Sequence, residues 1–224
     1  MDLGLSEEQE MLKTTARDFL RKECPKQLVR QMDESDEGYS PELWRKMADM
    51  GWLGLPFPEE YGGGGGSFLD LAVLLEEMGY NILPGPFFST LVLGGLSILA
   101  AGSEEQKKEL LPRVASGDMI LTLALTEPSA RYDAASVRTK AVAQNGEYII
   151  NGTKLFVPDA HVADFILCVA RTREGDNPED GITIFLVDAG NPGVKCTVLK
   201  TLARDKQCEI VFDNARVPEE NIVG

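Results

Sequence analysis

A chain of 224 residues, 43% hydrophobic and 26% charged, holds enough apolar material for a substantial core, suits one or two domains, and is not the composition of a disordered segment. Its formal charge of −14 at pH 7 lies mostly in the first half, and such a surplus of carboxylates argues against binding a nucleic-acid backbone. A small polyphosphate can still be held by local cations and backbone N–H groups, and the less acidic C-terminal half is the better place for one.

The first residues, MDLGLSEEQE, carry neither the basic start nor the apolar run of a signal peptide. Up to about residue 118 the spacing predicts helices. Ser6 and Gln9 form a capping box before a helix that stops near Cys24, because Pro25 disfavours helical geometry in its predecessor. Ser40 caps a second helix with Pro41 in its first turn, Leu43 and Met47 on one face and Gly51 just past its end. The run Gly62 to Gly66 lacks the Lys-Ser/Thr of a P-loop and the spacing of a dinucleotide fold, so it reads as a flexible turn between helices. Ser67 and Asp70 open the next helix, with Leu71, Leu74, Leu75 and Met78 on its buried side and Gly79 closing it. Ile82 to Ala101 carries no charge, but Pro84, Gly85 and Pro86 interrupt it, leaving about 22 Å of helix, too short to span a bilayer. Phe87 to Ala101 is therefore expected as a buried helix, and Ser103 with Gln106 opens another.

From Met119 the apolar pattern switches to period two. Strands are expected at 119–126, 136–143, 147–157, 163–171, 182–187, 194–200 and 207–213, with a hairpin turn at Asn145-Gly146 and a surface loop from Gly175 to Asp180. No helical stretch separates them, which points to an antiparallel barrel or sandwich. The fold class is thus α+β: an all-α helical domain over 1–117 and an antiparallel β-barrel or sandwich over 118–224. In the first strand Leu121, Leu123 and Leu125 alternate with smaller residues until Pro128 removes a backbone donor. The backbone beyond Leu125 is expected to be unpaired and exposed, a candidate ligand-binding edge.

Cys24, Cys168, Cys196 and Cys208 form no C-x-x-C pair and read as the reduced thiols of a cytosolic protein. His161 is the only histidine, so neither a His-rich metal site nor a Ser-His-Asp triad is expected.

Three strings, LTLALTEPSARYD from Leu121, NGTKLFVPDAHVAD from Asn151 and FDNARVPEENIVG from Phe212, together resemble the flavin-dependent acyl-CoA dehydrogenases. The resemblance covers essentially the whole chain, since LSEEQEMLKTTARDFL, SPELWRKMADMGWLGLPFPEEYGG and LLPRVASGD sit where that family's helical part has similar strings. It implies oxidation of an acyl-CoA thioester to its 2,3-enoyl form with FAD as hydride acceptor, an electron-transfer flavoprotein or similar acceptor, and a homo- or hetero-tetramer. By the same resemblance Leu123, Leu125 and Thr126 line the flavin, and Phe156 is the aromatic residue packed against it. Pro158 departs from the Thr or Ser that donates to the flavin nitrogen, having neither hydroxyl nor N–H. Arg131 and Tyr132 replace a Gly-Ser pair that contacts the cofactor pyrophosphate and CoA; Arg131 can pair with a phosphate and Tyr132 can stack. Asp133 matches a family aspartate that holds the turn, while Lys200, Arg204 and Lys206 lie near a basic loop of the family.

Read without the resemblance, the same residues are a core strand ending at a proline, a buried strand Phe and a solvated surface Arg. The family continues beyond a Val-Pro-x-Glu-Asn-x-x-Gly string, here Val217 to Gly224, into a helical domain with the catalytic glutamate, and no carboxylate in this sequence matches that base. No catalytic residue and no metal ligand is therefore assigned. Pro158, Arg131 and Tyr132 also suit a non-catalytic or flavin-poor subunit of a heteromeric acyl-CoA dehydrogenase, and a free-standing acyl-CoA-binding module is a third reading.

Overall fold

The computed structural model describes residues 4–224. Six α-helices lead: α1 (Glu7–Glu23), α2 (Lys26–Glu34), α3 (Pro41–Asp49), α4 (Phe68–Tyr80), α5 (Leu96–Ala101) and α6 (Glu104–Ala115). The capping boxes are all formed, with the hydroxyls of Ser6, Ser67 and Ser103 each accepting from the N–H three residues on at 3.2 Å. Ser40 caps α3 in the same way, and Gly51 takes the left-handed conformation after it. Leu43, Met47, Leu71, Leu74 and Met78 face the core, and burying each such side chain stabilises the fold by about 1.5–3 kcal/mol.

Three local expectations change. Helix α4 runs through Gly79 to Tyr80 and ends at Asn81, whose side-chain amide donates to the Glu77 carbonyl at 2.8 Å, so a side-chain bond closes the helix instead of a glycine. The glycine run is pinned, not flexible: Gly64 N–H donates to Gly54, Gly65 to Phe57 and Gly66 to Leu55, all within 2.9 Å. A Cβ on Gly63 would lie 2.0 Å from the Phe57 carbonyl oxygen, so close backbone approach explains the glycine, and these inward N–H groups are not free to cradle phosphate. Finally, the uncharged stretch after Phe87 is not one α-helix; a π-helical turn, Ser89–Gly95, precedes α5. Strand β1 (Leu121–Ala124) presses on that turn, with a Cβ on Gly94 meeting Leu121 at 2.4 Å and the Thr90 hydroxyl donating to the Leu121 carbonyl at 3.3 Å. Among the described residues no helix is long and apolar enough to cross a membrane.

The other strands are β2 (Lys140–Gln144), β3 (Glu147–Pro158), β4 (Phe165–Arg171), β5 (Ile182–Asp188), β6 (Val194–Leu199), β7 (Gln207–Pro218) and β8 (Ile222–Val223). They form one sheet in the order β6-β7-β3-β2-β4-β5-β8, mostly antiparallel. The exceptions are both at β4: β2 meets it in parallel at Lys140 and Arg171, and β1 runs parallel to it with Leu121 opposite Phe165. The long connection this needs is supplied by the β2–β3 hairpin itself, which an argument from helical crossovers overlooks. Strand β2 starts later than expected because Ala134–Ser136 forms a 3-10 turn. Strand β7 continues past its expected end to Pro218 through a bulge at Asn214, whose N–H donates to the Asn151 side chain at 2.9 Å.

The core falls in two parts. One joins the helices to Leu121, Leu167, Leu186 and Val223 of the sheet; the other, with Ile150, Ile166, Phe185, Ile210 and Phe212, lies within the sheet region. Strand β1 therefore touches both regions, and the candidate site grows from its end.

Candidate functional site

Strand β1 leaves the sheet after Ala124, but the backbone that follows is neither unpaired nor exposed as expected. The Thr126 carbonyl accepts from the Leu155 N–H at 2.8 Å, the Leu125 carbonyl accepts from Lys154 Nζ at 3.1 Å, and Thr126 is buried. The reason is β3, which pairs with β2 up to Asn151 and then swings across to β1, where the Thr122 hydroxyl donates to the Pro158 carbonyl at 2.6 Å. Exposure begins only at Pro128. Leu123 and Leu125 stay half-buried, and the Thr126 hydroxyl takes no hydrogen-bond partner among the described residues.

Beside this corner sits an ion pair that sequence reasoning missed. Lys154, with no solvent exposure, places Nζ 2.8 Å from Glu127 Oε1, and Glu127 is itself 7% exposed. Glu127 Oε1 also accepts from the Thr139 N–H at 2.9 Å, and Oε2 from the Arg138 N–H at 2.8 Å. Burial pushes the Glu127 carboxyl up, but the Lys154 ammonium and the backbone donors outweigh it and hold the group below its ordinary range, so it is ionised near neutral pH. The available signal was strand parity: Lys154 lies four residues from the buried Ile150, on the inward side of β3, which requires a buried partner for its charge.

Phe156 is exposed, so the alternative reading of a buried strand Phe does not hold. Between Lys154, opposite Ile210, and Val157, opposite Cys208, β3 carries one more residue than β7, and in this bulge Phe156 takes a φ of +54°. A left-handed aromatic residue costs about 1–2 kcal/mol, and such strain is retained mainly where it serves a site. The bulge turns the ring outward, leaving Phe156 52% exposed immediately after Leu155, which is bonded to Thr126.

Pro158 follows, half-buried, and its ring offers no donor to anything alongside it. It borders a cavity of about 380 Å³ whose apolar wall includes Val29, Met32, Leu83 and Pro84. Asp159 borders the same cavity; burial pushes its carboxyl up, and it accepts from the Ser89 hydroxyl at 2.6 Å.

The structure thus brings Leu125, Thr126, Phe156 and Pro158 together where β1 meets β3, with Leu123 on the same strand. Arg131 and Tyr132 lie apart, on an exposed loop beyond the Glu127–Ala130 turn, with Tyr132 75% exposed. Asp133 sits at the start of the 3-10 turn. The cationic loop is largely committed to protein contacts: Arg204 pairs with Asp33 at 2.8 Å, and Lys206 donates to the Ser35 carbonyl at 2.7 Å, fastening the β6–β7 loop to α2. Among the described residues no cluster of His, Cys, Asp and Glu is placed to hold a metal ion.

These residues fit a flat, mainly apolar ligand with a hydrogen-bonding edge: an outward aromatic ring, half-buried leucines and a free hydroxyl at a rigid corner. The family model for the acyl-CoA dehydrogenase N-terminal domain matches residues 6–118, and that for the middle domain matches 122–215. An acyl-CoA dehydrogenase of Bacillus subtilis (strain 168) is 37% identical over 99% of this chain. Among solved structures, the ChsE4–ChsE5 complex of Mycobacterium tuberculosis contains a chain that is 28% identical over 100% of this one, with a TM-score of 0.89. A glutaryl-CoA dehydrogenase of Mycobacterium smegmatis, in complex with FADH2, is 30% identical over 97%, with a TM-score of 0.84. The chain spans 59%, 58% and 55% of these three relatives respectively.

Proposed function

This chain belongs to the acyl-CoA dehydrogenase family, and from that premise we propose that it supplies the helical domain (1–117) and the β domain (118–224) of an FAD-dependent enzyme. The enzyme oxidises an acyl-CoA thioester to the 2,3-enoyl-CoA, hands electrons to an electron-transfer flavoprotein or similar acceptor, and assembles as a tetramer. A cytoplasmic location accords with four cysteines that stand unpaired as thiols.

The observation that carries this reading is Phe156, an aromatic side chain forced outward by a bulge beside the Leu125–Thr126 corner. Flavin, when bound, supplies the acceptor for the hydride. The chain's own residues bind and orient it: Phe156 and Leu125 present apolar surface to a planar ring, and the Thr126 hydroxyl and nearby backbone offer the polar contacts at its edge. Leu123 continues the wall. Pro158 would offer the ring apolar surface and no hydrogen-bond donor. Arg131, on its exposed loop, has the planar fork to pair with a phosphate of cofactor or CoA, and Tyr132 has an aromatic face to stack on a planar ring and a hydroxyl to hydrogen-bond. The apolar wall of the cavity next to Pro158 suits an acyl chain. No residue of this chain is given the role of the base that removes the α-proton.

Purified full-length protein should be yellow, and its flavin absorbance should bleach when a suitable acyl-CoA is added without oxygen. A colourless protein that reduces no acceptor with short-, medium- or long-chain acyl-CoA would sink the proposal.

Pro158 favours a second reading, that the chain is a flavin-poor subunit scaffolding an active neighbour; the ChsE4–ChsE5 relative is itself a complex of two named proteins. Full flavin occupancy and turnover in this subunit alone would remove that reading.

A further inference from the structure

We propose that the buried Lys154–Glu127 pair is a positioning element that fixes Thr126 and the Arg131–Tyr132 loop at the distances a bound flavin requires. The proposal rests on the flavin reading above. Thr126 lies between two anchored neighbours: the Leu125 carbonyl is held by Lys154 Nζ at 3.1 Å, and the Glu127 carboxylate by the same Nζ at 2.8 Å. Its own carbonyl is taken by Leu155. The Thr126 backbone is therefore fixed on three sides while its hydroxyl remains free.

The same carboxylate closes the loop that carries Arg131 and Tyr132. That loop departs at Glu127 and returns at Arg138 and Thr139, whose N–H groups both donate to Glu127. One side chain thus sets both ends of the excursion as well as the corner next to the ring. An apolar pair of equal volume fills such a space as stably as an ion pair does. It would, however, leave the Leu125 carbonyl and the Arg138 and Thr139 N–H groups without partners, so what the charges add is the placement of backbone.

The test uses full-length protein carrying Glu127→Gln combined with Lys154→Met, which removes both charges at once. Amide exchange of the apoprotein, FAD affinity and the visible spectrum of bound flavin are compared with wild type. Expected are faster exchange confined to residues 125–139, FAD binding weakened at least tenfold and a shifted flavin spectrum, in a protein that still unfolds cooperatively at a melting temperature lowered by the stranded backbone groups. A folded double variant that binds FAD as tightly as wild type, with an unchanged spectrum, overturns the inference and leaves the flavin reading standing. If wild type itself takes up no FAD, the flavin reading fails, and exchange alone decides: acceleration confined to 125–139 supports the clamp, and acceleration spread over the whole sheet overturns it. Should the double variant not fold, Lys154→Arg replaces it, keeping the charge while moving the donor. Weakened FAD binding with loosened 125–139 amides then supports the clamp, and unaltered binding despite loosened amides overturns it.

Discussion

The helical region and the sheet region each take a carboxylate out of water, and they satisfy it differently. Between α1 and α4, Glu77 is 3% exposed and receives a two-pronged bond from Arg17, 2.6 Å to Nη2 and 3.0 Å to Nε, but the Arg17 side chain remains 40% exposed. In the sheet, Lys154 and Glu127 are both buried, and the carboxylate is shared with two backbone N–H groups. The first arrangement joins two helices at the rim, where water can take the place of Glu77 at the half-exposed Arg17. The second has no water to fall back on and is bonded to the segments that form the candidate site. A carboxylate's burial therefore says less about its role than whether its partner can escape to solvent.

The largest effect that tests this contrast is Lys154→Met. It leaves Glu127 charged, buried and short of its cation, and losing one partner of a buried pair costs about 3–5 kcal/mol. Denaturant unfolding should show a drop of that size; a loss below about 1 kcal/mol would mean that the pair is wetter than its burial implies. Glu77→Gln should cost less, about 1 kcal/mol, because the half-exposed Arg17 turns to water when its partner is neutralised. If the two substitutions cost the same, the distinction between rim and interior fails.

The pH dependence sharpens the contrast with a definite sign. Glu77 is held below its ordinary range by the Arg17 hydrogen bond, and Glu127 is held below by Lys154 and backbone donors against the burial that pushes it up. A carboxylate with a depressed folded pKa contributes stability that is fully present above its unfolded pKa, about 4.3, and is lost as pH falls through the folded value. Unfolding free energy should thus fall as pH drops below about 5, and the Glu127→Gln, Lys154→Met double variant should flatten part of that fall. A double variant with an unchanged acid limb would remove Glu127 from the set of groups that drive acid unfolding.

The same division explains what is legible in the sequence. Helix starts can be read there because a cap is local: Ser6, Ser67 and Ser103 carry their partners three residues away. The Phe87–Ala101 stretch cannot, because its π-helical turn answers to β1, and Gly94 matters only against Leu121. In the sheet, the existence of most strands follows from alternation, but the parallel placement of β1 and the reach of β7 depend on partners far along the chain. Leu125, Thr126, Phe156 and Pro158 stand out by resemblance and do converge. Lys154 and Glu127 escape notice because a charged residue in a strand reads as solvent-facing until its parity is compared with Ile150. The outward turn of Phe156 requires counting residues on two strands at once, which no single segment contains.

Phe156 yields the smallest expected effect and the one with the opposite sign. Its φ of +54° suits asparagine far better than an aromatic residue, and at 52% exposure its ring contributes little to the core. Phe156→Asn should therefore leave stability unchanged or raise it by up to about 1 kcal/mol, as relief of a left-handed conformation offsets the modest apolar burial of the ring. Flavin retention in the full-length protein should fall at the same time, since the surface offered to the isoalloxazine is gone. Gain of stability with loss of cofactor would mark the strain as maintained for binding. A clear loss of stability with flavin retained would instead make Phe156 a packing residue, and the bulge that turns it outward would need another purpose.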